Sequence, residues 1–246
     1  MATPVSLSVV IPAFNEETRL PATLAAILSF LRSRGEPFEI VVVDDGSRDR
    51  TAEVARAAGA EVRVLHNQGN RGKGYSVRQG MLNAQGQWRL LSDADLSTPI
   101  EELAALQSAL TDGVQIAIAS RAVSGARLEK RQSLARESSG RFFNLLVRFL
   151  HLPGIMDTQC GFKLFSAAAA EAAFREAKLD GFAFDVEALV LARRAGFKIR
   201  EVAVTWRNDE QSRVSLGRGL AAFVDLFRLR FRGRSGIPGD GRLRPR

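Results

Sequence analysis

Short apolar segments rich in valine and isoleucine alternate with segments of helical periodicity, and this alternation constrains the fold more than any other feature. Apolar runs of this length are typical of strands buried on both faces. Such strands are predicted at residues 7–14, 38–47, 61–67, 87–95 and 114–121. The intervening segments predict helices at residues 17–35, 49–59, 72–86 and 100–113. Strands alternating with helices predict an α/β fold with a mostly parallel central sheet flanked by helices.

The 246 residues suffice for one such domain with an appendage. We assign residues 1–215 to the α/β domain, residues 216–232 to a basic amphipathic C-terminal helix and residues 233–246 to a flexible basic tail. Residues 211–246 hold nine arginines and two aspartates, and so carry +7 of the net charge of +8. Such a segment suits an anionic membrane surface or a nucleic acid, and a disordered solubilising tail is the alternative.

The sequence disfavours several classes of protein. No segment approaches the roughly 20 uninterrupted apolar residues that span a bilayer. The N-terminal segment MATPVSLSVVIP lacks the basic region of a signal peptide. A single cysteine, Cys160, excludes an internal disulfide and a zinc site built from several cysteines. Together these features predict a cytoplasmic protein.

Polar residues follow all five predicted strands. The strand ends read PAFNEE, DDGS, HNQGNRGKG, DADLSTP and SR. In parallel sheets ligands bind at this carboxyl edge. Polar residues at a single strand end could simply form an ordinary turn. Polar residues at all five strand ends indicate a site for a nucleotide and a metal ion.

Asp93 and Asp95 give the strongest indication of a metal site at this edge. On an extended chain their side chains would point the same way, and two carboxylates held so close repel unless a cation joins them. Oxygen ligands of this kind suit Mg²⁺ or Mn²⁺ bound together with substrate phosphates. The alternative is a helix start, in which Ser97 or Thr98 caps a helix with Pro99 in its first turn.

The second and third strand ends add nucleotide-binding chemistry. Asp44 and Asp45 can accept hydrogen bonds from base or ribose, although Asp45-Gly46 also fits a turn. The segment NRGKG offers Lys73 for phosphate charge and two glycines for close backbone approach. The spacing of a P-loop and the GxGxxG dinucleotide motif are both missing, which disfavours ATP hydrolysis and NAD chemistry.

The motif order PAFNEE, DDGS, NRGKG, DADLSTP, ASR, DTQCGFKLF, FAFDVEAL and a late W…SR resembles the inverting glycosyltransferases of family 2, which have the GT-A fold. Within that family the sequence is most similar to the polyprenyl-phosphate glycosyltransferases, and above all to the dolichyl-phosphate β-glucosyltransferases. The resemblance covers residues 6–216. It departs from the family in two ways: eukaryotic members carry an N-terminal membrane helix, and their late GSK motif is Gln211-Ser212-Arg213 here.

With the strand-end pattern, this resemblance implies roles for individual residues. Nucleotide binding would involve Pro12, Asn15, Glu16, Asp44, Asp45, Lys73 and Asp93. The divalent cation would bind Asp93 and Asp95, with Asp95 in direct contact. Phosphate groups of donor or acceptor would bind Arg121, Arg136, Ser212 and Arg213. The catalytic residues would be Asp95, Arg121 and Asp157.

Asp157 matches the position proposed in this family for a catalytic base. A phosphate monoester has a second pKa of about 6 and is already a nucleophile at neutral pH. We therefore interpret Asp157 as a residue that orients the substrates, with base catalysis left open and a turn or helix cap as the alternative. Asp185 and Glu187 in FDVE are implied on the acceptor side, and helix capping by Asp185 is equally open.

The implied reaction is inverting transfer of a sugar, glucose from UDP-glucose, to a polyprenyl or dolichyl phosphate at the cytoplasmic membrane face. GDP-mannose as donor, or a soluble or glycan acceptor, are the alternatives. A non-catalytic binder of nucleotide sugars or nucleic acid is a further alternative, but the basic tail lacks the interleaved aromatic residues of single-strand binders, so no nucleic-acid partner is expected.

Two basic amphipathic stretches, residues 127–154 and 216–234, could lie on a headgroup surface and hold the enzyme peripherally. Packing of their apolar faces on the core is the alternative. A membrane-anchored partner or a second copy of the chain could also serve as the anchor.

Overall fold

A computed structural model of the chain describes residues 4–129, 146–147, 151–207, 225–226 and 229. The strands are β1 Leu7–Ala13, β2 Phe38–Asp44, β3 Val62–His66, β4 Trp88–Ser92, β5 Val114–Ser120, β6 Arg127–Leu128, β7 Phe162–Ser166, β8 Lys198–Ala203 and β9 Thr205–Trp206. The helices are α1 Leu20–Arg34, α2 Thr51–Ala57, α3 Lys73–Asn83, α4 Leu103–Ser108, α5 Ala167–Phe174 and α6 Phe184–Arg194, with a 3₁₀ turn at Ile100–Glu102 before α4.

The central sheet has seven strands in the order β3-β2-β1-β4-β7-β5-β8. All pairings are parallel except those of β7, which runs antiparallel to both β4 and β5. β6 and β9 form a separate parallel pair. The predicted α/β class, with a mostly parallel sheet flanked by helices, is therefore confirmed.

Two apolar cores cover the two faces of this sheet. Along β1, Val10 packs in one core, while Val9 and Ile11 pack in the other. Since successive side chains of a strand alternate faces, a strand between two cores must be apolar at every position. This requirement explains the continuous apolar runs that identify the strands in the sequence.

The antiparallel strand β7 has consequences for the site. Its register pairs Ser92, the last residue of β4, with Phe162, the first residue of β7. The segment that leads into β7 therefore lies at the same edge of the sheet as the carboxyl ends of β1, β2, β4 and β5. Residues far apart in sequence meet there.

The C-terminal helix predicted at residues 216–232 lies mostly outside the described residues, as does the tail at 233–246. Asp225, Leu226 and Leu229 are helical. Leu226 and Leu229 are buried in the core that also contains Leu152, and the His151 ring donates from Nε2 to the carbonyl oxygen of Leu226 at 3.0 Å. At these two leucines the apolar side chains pack on the core, as the alternative interpretation expected. Within the described part of the chain, no helix combines the length and apolar character needed to cross a bilayer.

Candidate active site

Asp93 and Asp95 lie in a turn that follows β4, not on an extended chain. The strand ends at Ser92, the Leu96 amide donates to the Asp93 carbonyl oxygen at 3.3 Å, and Leu96 has a φ of 46°. The argument that alternation points both carboxylates the same way is therefore wrong. The capping alternative is wrong too, because the 3₁₀ turn begins after Pro99 and no side chain caps it.

The two carboxylates nevertheless interact. Burial raises the pKa of Asp95, and the negative charge of Asp93 raises it further, against a hydrogen bond from the Ser97 amide at 2.9 Å. Gly161, just before β7, packs directly on the carboxylate of Asp93, so that a Cβ at this position would collide with it. The Asp93 side chain is thus held in place from one side.

Lys73, the first residue of α3, contacts the other side of Asp93. Its ammonium lies 2.6 Å from Asp93 Oδ1. Burial opposes the charge on Lys73, but nearby carboxylates outweigh it and raise the pKa of the ammonium. These carboxylates belong to Asp93, Asp185 and Asp95. Lys73 is therefore charged at neutral pH and stands at the acidic cluster, where the sequence predicted a phosphate-binding cation.

The two glycines beside Lys73 allow a close approach between two protein segments. A Cβ at Gly72 or Gly74 would collide with the backbone of Leu179 or Asp180, and the Gly74 amide donates to the Asp180 carbonyl oxygen at 2.8 Å. Gly72 also has a φ of 100°, which favours glycine. These contacts fix the start of α3 and with it the Cα of Lys73.

Arg121 and Asp157 form an ion pair where β5 ends. Arg121 donates from Nε to Asp157 Oδ2 at 2.7 Å and from Nη2 to Oδ1 at 3.0 Å, and its own amide also donates to Oδ2. Burial disfavours the ionised Asp157, yet the Arg121 charge and these hydrogen bonds lower the pKa of the carboxyl below its usual value. Both Asp157 oxygens are occupied, so this carboxylate is poorly suited to accept a proton.

The guanidinium of Arg121 is oriented from a second direction. Its central carbon lies 5.3 Å from the centre of the Trp206 ring, an arrangement that favours a cation. About a quarter of the Arg121 side chain stays exposed, whereas only 2% of Asp157 does. The pair therefore presents a positive charge, not a carboxylate, to the site.

At the β2 end, Asp44 and Asp45 are buried and used by the protein. Asp44 accepts from the Ser47 amide at 3.0 Å and lies 2.8 Å from His66 Nδ1. Asp45 accepts from the amides of residues 71 and 72, both at 2.9 Å, and thereby shapes the NRGKG loop. The turn interpretation fits Asp45 better than direct nucleotide contact does.

The β1 end is joined to the β2 end. Asn15, which has a φ of 55°, donates its amide to Ser47 Oγ and accepts from the Arg48 amide, both at 2.9 Å. Glu16 pairs with Arg19 at 2.6 Å. Pro12 is partly exposed near the end of β1. The predicted nucleoside residues are therefore brought together at one edge of the sheet.

Asp185 and Glu187 lie in the first turn of α6, where Ala183 is the N-cap residue and no side chain caps the helix. The capping alternative for Asp185 is therefore wrong. Asp185 instead accepts a 2.5 Å bond from the buried ammonium of Lys163 on β7. Burial raises the pKa of Asp185, against the charges of Lys163 and Lys73. Glu187 accepts from the Lys178 and Leu179 amides at 2.9 and 2.7 Å.

Three other site residues, Arg136, Ser212 and Arg213, lie outside the described residues. Two contributors were not predicted as site residues: Lys163 and Trp206. Lys163 could have been predicted from the sequence, because a lysine within the otherwise apolar segment FKLF is expected to be buried and paired with a carboxylate. Trp206 belongs to the late W…SR motif, which marked the residue but not its contact with Arg121, because that contact depends on how β8 and β9 are placed.

The donor set fits a divalent cation held jointly with a ligand. No group of three or more His, Cys, Asp or Glu residues that could hold a metal occurs among the described residues. Asp93 and Asp95 supply carboxylate oxygens, which suit Mg²⁺ or Mn²⁺ completed by phosphate oxygens. Cys160 is not a candidate nucleophile, because burial raises the pKa of its thiol.

Comparison with known proteins identifies the family. The model of Glycosyl transferase family 2 matches residues 8–174, more than half of the chain. The chain belongs to this family. Curated relatives of this glycosyltransferase include the human dolichyl-phosphate beta-glucosyltransferase, 40% identical over 227 residues that cover 85% of this chain and 69% of the relative. The yeast (Saccharomyces cerevisiae) protein of the same name is 36% identical over 232 residues, with the same coverage.

Solved structures show that the fold is the GT-A fold of this family. Glucosyl-3-phosphoglycerate synthase from Mycobacterium tuberculosis, crystallised with Mn²⁺ and UDP-glucose, superposes with a TM-score of 0.69 at 21% identity, over 96% of this chain and 81% of that chain. Mannosyl-3-phosphoglycerate synthase from Rubrobacter xylanophilus gives a TM-score of 0.64 at 18% identity, over 98% and 79%.

Proposed function

We propose that this glycosyltransferase transfers glucose from UDP-glucose to a polyprenyl phosphate, with inversion at the anomeric carbon, at the cytoplasmic membrane face. The observation that carries the proposal is the pairing of two oppositely charged centres at one sheet edge: the acidic pair with Lys73, and Arg121 held by Asp157. The first suits a nucleoside diphosphate with a divalent cation, the second a phosphate monoester. The relatives named dolichyl-phosphate beta-glucosyltransferase, 33–41% identical along most of the chain, support the choice of sugar and acceptor.

At the donor centre, the residues stabilise a leaving diphosphate. Asp93 and Asp95 would hold the divalent cation, which supplies charge neutralisation for the departing phosphates. Lys73 adds a positive charge beside them. Because these charges are in place once the donor is bound, they stabilise the negative charge that develops on the diphosphate while the sugar becomes oxocarbenium-like.

At the acceptor centre, Arg121 binds the phosphate that attacks the sugar. Asp157 engages Nε and Nη2, so Nη1 can face the acceptor. A dianionic phosphate monoester needs no general base at neutral pH. Asp157 therefore acts by aiming the guanidinium of Arg121.

Transfer assays with labelled UDP-glucose and GDP-mannose test this function, with dolichyl or undecaprenyl phosphate as acceptor and Mn²⁺ or Mg²⁺ present. We expect label from UDP-glucose in the organic phase, and its loss in Asp95→Asn and Arg121→Lys. Asp112→Asn is the control, because this exposed aspartate precedes β5 and so lies at the opposite end of that strand from Arg121. Transfer only from GDP-mannose, or only to a water-soluble phosphorylated acceptor, would contradict the proposal.

Peripheral attachment to the membrane is tested separately. Leu226 and Leu229 are buried in the core and are not available to a bilayer, and we assign the attraction to the arginines of residues 211–246. Each basic residue near an anionic surface contributes about 1 kcal/mol and is screened by salt. We expect sedimentation with anionic vesicles at low salt and release at high salt. Equal binding to zwitterionic vesicles would argue against this attachment.

A further inference from the structure

A divalent cation bound by Asp93 would compete with Lys73 for the same carboxylate. The ammonium lies 2.6 Å from Asp93 Oδ1, which is the distance of a direct ion pair. Asp93 is one of the two carboxylates in the donor set described above. An ammonium in contact with this oxygen and a divalent ion bound to it would repel each other strongly at such short range.

Neither partner of this ion pair can easily move away as a whole. The backbone of Lys73 is fixed by its neighbouring glycines, which pack on the 179–180 segment. The Asp93 carboxylate occupies the space that a Cβ at Gly161 would fill, and its short side chain keeps it close to its own backbone. The partner with freedom to move is Lys73, because its long flexible stem can turn about several bonds while the Asp93 carboxylate sits on a short one. The ammonium can therefore turn toward a new anion without a change in the fold.

A diphosphate supplies that anion. It offers Lys73 several negative oxygens in exchange for Asp93, and it completes a coordination shell that two carboxylates leave short. Without the diphosphate, a cation would face the charged lysine and too few ligands. With it, both obstacles are removed together.

We propose that Lys73 makes the binding of the divalent cation and the binding of the donor diphosphate depend on each other. In the donor-free protein Lys73 neutralises Asp93 and keeps divalent cations out. When the diphosphate binds, Lys73 passes to the phosphate oxygens and Asp93 becomes available. A cation alone therefore binds weakly, and the cation and nucleotide raise each other's affinity by the same factor. The nucleotide part of this proposal rests on the proposed function, whereas its nucleotide-free part does not.

Mn²⁺ titrations followed by electron paramagnetic resonance test the proposal without any turnover. Wild-type protein, Lys73→Met and Lys73→Arg are titrated without nucleotide and with saturating UDP. Lys178→Met removes the same charge from an exposed lysine and serves as the matched control. Thermal unfolding checks that each variant is folded.

Without nucleotide, we expect Lys73→Met to bind Mn²⁺ roughly tenfold more tightly than wild type, because the competing charge is gone. Lys73→Arg, which keeps the charge, and Lys178→Met should match wild type. With UDP, wild type should gain at least as much Mn²⁺ affinity, and Lys73→Met should gain much less.

If Lys73→Met without nucleotide binds Mn²⁺ no better than wild type, the proposal is overturned. A second set of titrations with GDP separates this failure from that of the proposed donor. Coupling with GDP but not with UDP would leave Lys73 in its role and refute UDP-glucose as donor. Should Lys73→Met fail to fold, Lys73→Gln is titrated in its place with the same expectation.

Discussion

The ion pair of Arg121 and Asp157 shows how a residue type can be predicted correctly while its role is not. DTQCGFK indicated Asp157, and ASR indicated Arg121, but a sequence does not show which charges meet. The two residues are 36 positions apart in the sequence, and the structure joins them by a bidentate contact. Asp45, likewise, was expected to contact a nucleotide, and its oxygens instead bind backbone amides. The local sequence pattern therefore identifies charged residues near the site, but their roles depend on contacts with residues distant in the sequence.

Asp157→Asn should cost stability as well as activity. Removing one partner of a buried pair leaves the other charge uncompensated, which costs about 3 kcal/mol. Chemical unfolding at pH 7 measures this loss. Asp112→Asn, at an aspartate whose side chain is 82% exposed and which pairs with Arg200, should cost less than about 1 kcal/mol. Equal losses in the two variants would show that the Arg121 pair is no stronger than a surface contact.

The same pair predicts a pH dependence. The pKa of Asp157 is lowered in the folded protein, so its contribution to stability is complete above the unfolded carboxyl pKa of about 4. It is lost as the pH falls through the lower, folded pKa. The difference in unfolding free energy between wild type and Asp157→Asn should therefore be constant from pH 7 to 5 and shrink below pH 4. A difference that persists undiminished at pH 2 to 3 would mean that the charge is not responsible.

At the scale of elements, hydrophobic periodicity predicted what local physics controls. Each strand and helix predicted between residues 7 and 121 is present, although the helix predicted at 100–113 is shortened to a 3₁₀ turn and α4. Strand β7 was not predicted. Its five residues, FKLFS, are too few and too mixed to predict a strand by themselves, and DTQCGFKLF was interpreted only as a motif. Its insertion between β4 and β5, antiparallel to both, follows from tertiary pairing. This insertion brings Gly161 to Asp93.

The start of α3 offers a test in which two physical effects oppose each other. Alanine is a better helix former than glycine by about 1 kcal/mol, so propensity alone predicts that Gly74→Ala stabilises the protein. A Cβ at this position would collide with the Leu179 carbonyl oxygen and with Phe184, so packing predicts a loss of about 1–3 kcal/mol. We expect packing to prevail, with a lower thermal midpoint.

Gly181→Ala on the facing segment is the control for that variant. Among the described residues a Cβ there comes within 4 Å of Asp225 Oδ2 alone, at an ordinary contact distance of 3.7 Å, so the midpoint should change little. A Gly74→Ala protein as stable as wild type would mean that the 179–180 segment moves freely, and the fixed position of Lys73 would then lose its support.

At the scale of the whole molecule, the candidate site is built from several elements of one sheet. Predicted donor residues come from the ends of β1, β2 and β4 and from α3, so a nucleotide sugar would contact the sheet across several strands. A ligand that binds only the folded state at a hundredfold excess over its Kd stabilises it by about 2.7 kcal/mol. For a chain of this size, that corresponds to a rise of roughly 5–10 °C in the thermal midpoint.

Thermal unfolding with a panel of nucleotide sugars should therefore rank the donors. UDP-glucose with Mn²⁺ is expected to give the largest rise in the thermal midpoint, and GDP-mannose with Mn²⁺ the smallest. UDP-glucose with a chelator should give an intermediate rise, because the cation that joins the two carboxylates to the diphosphate is then missing. In Asp95→Asn the part of the stabilisation that depends on Mn²⁺ should vanish. The variant should stay folded, because burial raises the pKa of Asp95 and a neutral side chain is therefore tolerated there. If GDP-mannose stabilises the protein more than UDP-glucose does, the donor assignment fails. If Mn²⁺ adds nothing to any nucleotide, Asp93 and Asp95 do not serve as cation ligands.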